Sequence, residues 1–310
     1  HYTAPALRWD EGLPCGNGLL GLLVWGDGHP LNLSVDRSDL WDNRPDPKTQ
    51  AKDFCWKTLV EFLDRNDMKS VWDKFESWKD VPHPTKLPCG RFTLDFDRKQ
   101  GVAFDSRLDL AKATTTTRMG RTVVTAYVHA VRPLIVIRIR GGRPRAQFLS
   151  PFDRSRLRPQ SSVDSGAGPD VACLGYPPPR HGRGRGGAHY VLQRCATGFS
   201  YTVAWKSALK RGEQIFYLTV QQADEDRDPV PLALRILEEA GAIGPAQLER
   251  THAVWWRNYW RKGRVRLPDG LADARLGPLR VPPRVQSRER GLPLRDGRAA
   301  GVGRAIPARD

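Results

Sequence analysis

The stretch GLPCGNGLLGLLVWGDGHPLNL, Gly12 to Leu33, decides how the chain is read. Inside it, Gly16-Asn17-Gly18-Leu19-Leu20-Gly21 has the spacing G-x-G-x-x-G, and Asp36 stands about where the ribose-binding acid of a dinucleotide loop would. Such a loop needs a strand before its first glycine and a helix after its last, so that a pyrophosphate can sit on the helix N-terminus. Neither is expected here. The residues ahead, RWDEGLPC, are polar and interrupted by Pro14, and those behind, LLVWGDG, soon meet another turn. The glycines instead suit positive φ and close strand packing at a hairpin.

Outward from this stretch the pattern is mainly β. The apolar run LLGLLVWG, the turn signal Gly26-Asp27-Gly28 and the alternating Leu31, Leu33 and Val35 predict two antiparallel strands. Further strands are expected in RFTLDFD (91–97), TVVTAYVHA (122–130), PLIVIRIRG (133–141), HYVLQRC (189–195), SYTVAWKS (200–207) and EQIFYLTVQQ (213–222). Strands separated by turns, with few helices between, predict an antiparallel sandwich rather than βαβ units.

Helical spacing appears in three places. Residues 50–80 lack Gly and Pro and place Phe54, Leu59, Phe62 and Leu63, then Val71, Trp72, Phe75 and Trp78, near helical periodicity. Two helices broken near Asn66-Asp67 are expected, ended by PHPTKLPCG (82–90). Helices are also predicted over 231–244 and 246–263. The second carries Leu248, His252, Trp255, Trp256, Tyr259 and Trp260 as a broad stripe suited to packing on the sandwich. The resulting division is a sandwich over 1–228 with a helical insertion at about 50–80 and an irregular Arg/Gly-rich loop over 141–188, a helical linker over 229–270, and a tail over 271–310.

The tail contains no aromatic residue and no Lys, whereas all ten Trp precede residue 261. It has neither strand nor helix period, and too little apolar surface to offset the entropy of ordering. It reads either as a disordered tail or as a non-native, frameshifted ending. The chain starts at His1, as a fragment or processed chain would, which leaves open a removed signal peptide. The compartment, cytoplasmic or secreted, is not specified. No apolar run approaches the length of a membrane span, so no membrane partner is expected.

The formal net charge is +16. Residues 140–194 supply ten Arg against three Asp, and residues 271–310 nine Arg against four acids, so the excess lies in irregular stretches. RHGRGRGG (180–187) resembles an RGG-type nucleic-acid segment but interleaves no aromatic residue, and a flexible solvated loop is favoured. A nucleic-acid partner is therefore ranked last. The five cysteines, Cys15, Cys55, Cys89, Cys173 and Cys195, form neither C-x-x-C nor a Cys/His cluster. They are read as small buried hydrophobes, with no metal site and no cofactor.

The segment SVDRSDLWDNRPD gathers Asp36, Asp39, Asp42 and Asp46 around Trp41 and Arg44. An aromatic face beside carboxylates suits a sugar, because the face stacks on the ring and the acids bind hydroxyls or move protons. Asx turns and surface ion pairs account for the same residues and are preferred. If the segment touches a sugar, Asp39, Trp41 and Arg44 are the expected contacts. No G-x-S-x-G or suggestive His spacing offers a catalytic triad.

Taken in order, Trp9, Glu11, Leu13, Pro14, Gly16, Asn17, Gly18, Leu20, Gly21, Val24, Gly26, Asp36, Leu40 and Trp41 resemble the amino-terminal region of glycoside hydrolase family 95 and its relatives. PTKLPCGRFTLDF (84–96) is similar to that family's next shared block. HAVWWRNYWRKGRVRLPD (252–269) is similar to its helix leading out of the sandwich. The resemblance implies an antiparallel β-supersandwich, a carboxy-terminal α-helical linker and then an (α/α)6 barrel. In that family the barrel holds the acid and the activated water of an inverting hydrolysis, typically of α-L-fucosides or α-L-galactosides. That barrel is expected to be absent from this chain, so no catalytic residue is assigned within it. The expected partner is a carbohydrate, a terminal fucoside or galactoside, engaged through a full-length parent. A carbohydrate-binding or purely structural sandwich module is the alternative.

Overall fold

The computed structural model describes residues 1–76, 84–96, 102–153, 171, 173–224 and 227–263. The expected tail over 271–310, the end of the linker and the centre of the 141–188 loop lie outside the described residues.

The fold is mainly β and antiparallel. β1 (Leu13–Gly16), β2 (Leu20–Trp25) and β3 (Leu31–Arg37) form a meander, followed by the short β4 (Trp41–Asp42). Next come α1 (Trp56–Asp64), α2 (Met68–Val71) with a π-helical turn through Glu76, β5 (Thr85–Lys86), β6 (Gly90–Asp95), β7 (Phe104–Asp109), β8 (Thr114–Met119) and β9 (Thr122–Val128). The chain continues through β10 (Ile135–Arg140), β11 (Arg145–Leu149), β12 (Arg180–Arg183), β13 (His189–Arg194), β14 (Ser200–Lys210) and β15 (Glu213–Ala223), then α3 (Val230–Ile243) and α4 (Pro245–Lys262). One sheet runs β1-β2-β3-β6-β11 and the other β12-β13-β14-β15-β10-β9-β8-β7, while β4 and β5 pair separately.

The two large sheets face each other across one apolar core. Leu20, Leu22, Leu33, Phe92 and Leu94 from one sheet meet Val124, Ile135, Ile137, Val203, Phe216 and Leu218 from the other. Burying each such side chain stabilises the fold by about 1.5–3 kcal/mol. The eight-stranded sheet is covered on both faces. Ile135, Ile137 and Ile139 point into the sandwich, whereas Leu134 and Val136 join Tyr127, Tyr217, Ala233, Leu237, Ala240 and Leu248 under α3 and α4. That is why β10 reads as a continuous apolar run instead of alternating.

The hairpin expected after the glycines is present, with Leu20 to Trp25 paired antiparallel to Asn32 to Arg37. At its turn, Gly26 adopts φ +94°, and a Cβ there would sit 2.5 Å from the Pro30 carbonyl oxygen. One expectation needs correction. A strand does precede the first glycine, since Leu13–Gly16 pairs with Gly21–Val24 despite Pro14. Pro14 is tolerated because β1 is an edge strand with one side free of ladder bonds. The last glycine of the pattern still leads along a strand and not into a helix, so no helix N-terminus is available to a phosphate.

The insertion breaks where expected: Asn66, at φ +55°, separates α1 from α2, and the Asp67 side chain accepts from Ser70 N. Residues 50–55, however, are not helical. The Arg/Gly-rich loop is more ordered than predicted, since Arg145–Leu149 and Arg180–Arg183 are strands. The RGG-like segment, expected to be flexible, forms β12 and a 3-10 turn over Arg185–Gly187. Cys15 and Cys89 are buried and Cys173 and Cys195 half-buried, but Cys55 is exposed, contrary to the expectation for all five.

Candidate functional site

The acidic segment 36–46 leaves β3 and forms β4, which is held by Leu87 N donating to Leu40 O and by pairing with β5. Asp39, Trp41 and Arg44 therefore lie within one short turn, but two of them are engaged. Arg37 Nε donates to Asp39 Oδ1 at 2.7 Å while its second arm reaches the Val220 carbonyl. Arg44 Nε donates to Asp42 Oδ2 at 2.7 Å, another of its nitrogens donates to the Leu174 carbonyl, and its guanidinium lies over the Tyr176 ring. Trp41 presents an open ring, 46% exposed, its indole nitrogen donating to Ser38 O.

The other acids are also held. Asp36 pairs with Lys86 at 2.6 Å, and Asp46 accepts from Lys48 N in a turn. Asp42 is 3% exposed and accepts from both Arg44 and the Tyr176 hydroxyl. Burial acts to raise its carboxyl, but the hydrogen bonds from Arg44 and Tyr176 outweigh it and hold Asp42 below the ordinary carboxylate range. Burial and the bond to Asp42 push the Tyr176 phenol well up. A general acid in glycoside cleavage needs a carboxyl raised toward neutrality. The segment supplies a stacking face and a rigid ion pair, not such an acid. Tyr176 went unread in the sequence because it lies 134 positions from Asp42 in a loop with no periodic signal.

A second constellation links the glycine hairpin to α4. Asn17, 3% exposed, accepts from Leu19 N at 3.0 Å and Leu20 N at 2.8 Å through its side-chain oxygen. Its amide nitrogen donates to the carbonyls of His129 (2.9 Å) and Arg132 (3.1 Å), in the β9–β10 turn. On the other side of that turn, Ala130 N donates to His252 Nδ1 of α4 at 3.2 Å. His252 Nε2 meets the Lys112 carbonyl at 2.7 Å, and Trp260 Nε1 donates to the Leu110 carbonyl at 2.9 Å, both in the β7–β8 turn. His129 Nε2 bonds Thr251 Oγ1 at 3.0 Å. The stripe on α4 is thus a seat on two hairpin turns: Leu248, His252 and Trp256 are buried, while Trp255, Tyr259 and Trp260 are half-buried.

Burial lowers His129, with help from neighbouring His252 and Arg132, and burial likewise lowers His252, each to about 4. Both rings are neutral at physiological pH, as their acceptor roles toward backbone N–H groups require. Among the described residues, no group of three or more His, Cys, Asp or Glu is placed to hold a metal ion. No described helix is long and apolar enough to cross a membrane.

A family model described as "Glycosyl hydrolase family 65, N-terminal domain" matches residues 1–190. The chain belongs to that family. The glycosyl hydrolase family 65 N-terminal domain match runs from before β1 into β13, and so includes the glycine hairpin, the acidic segment and the insertion. It agrees with the sequence resemblance in giving a glycoside hydrolase amino-terminal domain, and it names family 65 where the resemblance pointed to family 95. No curated protein matches the chain. A solved structure described as "Putative kojibiose phosphorylase from human microbiome" aligns at 9% identity and a TM-score of 0.41, over 84% of this chain and 37% of that one. The chain thus spans little more than a third of the length of that protein.

Proposed function

We propose that this chain is the amino-terminal sandwich and helical linker of a glycoside hydrolase whose acid and base lie outside it, and that the parent removes a terminal α-L-fucoside or α-L-galactoside with inversion. The observation that carries the sugar class is the ordered set from Trp9 to Trp41, which resembles family 95 most specifically in the first forty residues. The boundaries rest on the same reading: a sandwich to 228 and a linker that begins at 229. The chain alone is inactive in this account. Every acid of the segment 36–46 is committed to a cation, a hydroxyl or a backbone N–H, which supports that view.

In the parent, Trp41 lines the approach to the sugar, while Asp39 and Arg44 fix the loop that presents it. The exposed indole on a hydrogen-bonded turn supports this assignment. Trp41→Ala in a full-length homologue tests it. KM for an aryl α-L-fucoside or galactoside is expected to rise while the fold is kept. An unchanged KM removes Trp41 from the site, and activity of the isolated chain that depends on its own carboxylates overturns the larger proposal.

A further inference from the structure

α4 is held to the fold at few points. Of its 18 residues only Leu248, His252 and Trp256 are buried. α3, over the same sheet, buries Val230, Ala233, Leu237 and Ala240 within 14 residues. Trp256 Nε1 is buried with no hydrogen-bond partner among the described residues, which weakens the seat. Between the two helices Gly244 stands at φ 79° and ψ 159°, outside helical geometry, and Pro245 follows. The chain can turn there without breaking either helix. Segments with few buried apolar contacts open locally at less cost than the whole fold.

The centre of the seat is titratable. The Lys112 carbonyl can only accept, so His252 Nε2 carries the ring proton and Nδ1 presents the lone pair that takes the Ala130 N–H. His129 is arranged alike: Nδ1 accepts from Val131 N at 3.3 Å, and Nε2 is left to donate to Thr251 Oγ1. A second proton on either ring has to sit on Nδ1, where it would point at a backbone N–H. The two ring centroids lie 5.9 Å apart, so two imidazoliums would also repel. No neighbouring acid answers that charge. The β9–β10 turn adds Arg132, bridged at 3.9 Å to Glu239 of α3, and the β7–β8 turn adds Lys112, 3.6 Å from Asp109. β9 offers the Tyr127 ring, 4.5 Å from that of His252, and the β1–β2 turn the neutral Asn17. On α4 itself, Glu249 is bound to Arg138 of β10. Among the described residues, no carboxylate bonds either ring.

We propose that His252 and His129 form an acid-released latch: at neutral pH they hold α4 on the two hairpin turns, and on protonation α4 swings away about Gly244 while the sandwich stays folded. Burial holds both rings at about 4, against 6.5 for a freed histidine. Protons therefore favour the released state, with docking complete above about 6.5 and failing as pH falls toward about 4. Release spares the core between the sheets, to which no residue of α4 belongs. The latch works the same way whichever sugar the parent cleaves.

Hydrogen exchange of the full chain, corrected for the intrinsic pH dependence of amide exchange, tests the latch. From pH 7 to pH 5 the opening of α4 should grow about twentyfold through His252 alone, and further through His129. β14 and β15 should keep their protection over the same range. The His129→Gln/His252→Gln chain should show no such response in α4. Unchanged protection of α4 between pH 7 and pH 5 overturns the proposal. Joint loss of protection in α4, β14 and β15 does so too, since that is ordinary acid unfolding, as does an equal pH response in the double variant. Where the variant is already open at pH 7, NMR titration of the unaltered chain decides: both rings should titrate below about 5, and ordinary values near 6.5 overturn the proposal.

Discussion

The Asn17 side-chain amide donates to the main-chain carbonyl of His129 at 2.9 Å, across 112 positions of sequence. Asn17 lies between the two glycines that imitate a nucleotide loop, and its bonds fasten the turn on which α4 rests. Asn17→Ala leaves buried carbonyls and turn amides without partners, at a cost of about 2–4 kcal/mol. Urea unfolding should show the midpoint falling with its slope unchanged. Asn17→Asp keeps the acceptor for Leu19 N and Leu20 N but sets a carboxylate oxygen against the His129 and Arg132 carbonyls, and should cost at least as much.

The histidines of the seat make stability depend on pH. Unfolded histidine titrates near its ordinary 6.5, whereas His129 and His252 in the folded chain titrate at about 4. Between these values the unfolded chain binds more protons, so stability is fully present above about 6.5 and declines as pH falls toward about 4. Each histidine contributes on the order of 2–3 kcal/mol to that slope. Urea midpoints measured from pH 7 to pH 4.5 should fall, and His252→Gln should flatten the profile while lowering stability at pH 7.

Thiol reactivity should separate the cysteines. Burial pushes Cys15 up to about 12, and burial with nearby Asp42 does the same to Cys195. Cys89 is raised further by burial. Exposed Cys55 is lowered by its bond to Thr58 at the start of α1. A disulfide-exchange reagent at pH 8 should label Cys55 first, and Cys15, Cys89 and Cys195 only on unfolding. Cys55→Ser should abolish the fast phase.

The two hairpin turns predict unequal glycine effects. At Gly26 a methyl group would meet the Pro30 oxygen at 2.5 Å in addition to an unfavourable φ, so Gly26→Ala should cost about 3 kcal/mol or more. At Gly212, φ is +79° but nothing lies within 4 Å, so Gly212→Ala should cost about 1 kcal/mol. Thermal melts of the pair check the difference.

These elements also mark what the sequence could convey. β2, β3, β9, β10 and β13–β15 were legible because β-branched and aromatic residues run between turn signals. β7 and β8 were not: FDSRLD and TTTTRM lie at the far edge of the sheet, where little apolar alternation is required. β1 was hidden by Pro14, and β11 and β12 by arginines at edges. In the acidic segment, the neighbours Asp39, Trp41 and Arg44 were visible, but the commitments of Asp39 to Arg37 and of Arg44 to Asp42 and Tyr176 depend on chain crossings that no local pattern records. For the same reason Asn17 was noticed for its glycines and not for its partner 112 residues away.

The central claim is that the glycine hairpin works by seating α4 and not by holding a ligand. Hydrogen exchange of the Asn17→Ala variant tests it most directly. Faster exchange is predicted at the Ala130 amide and along α4 from Leu248 to Trp260, while β14 and β15 keep their protection. Unchanged protection of α4 in a variant that has lost the Asn17 bonds would contradict the account.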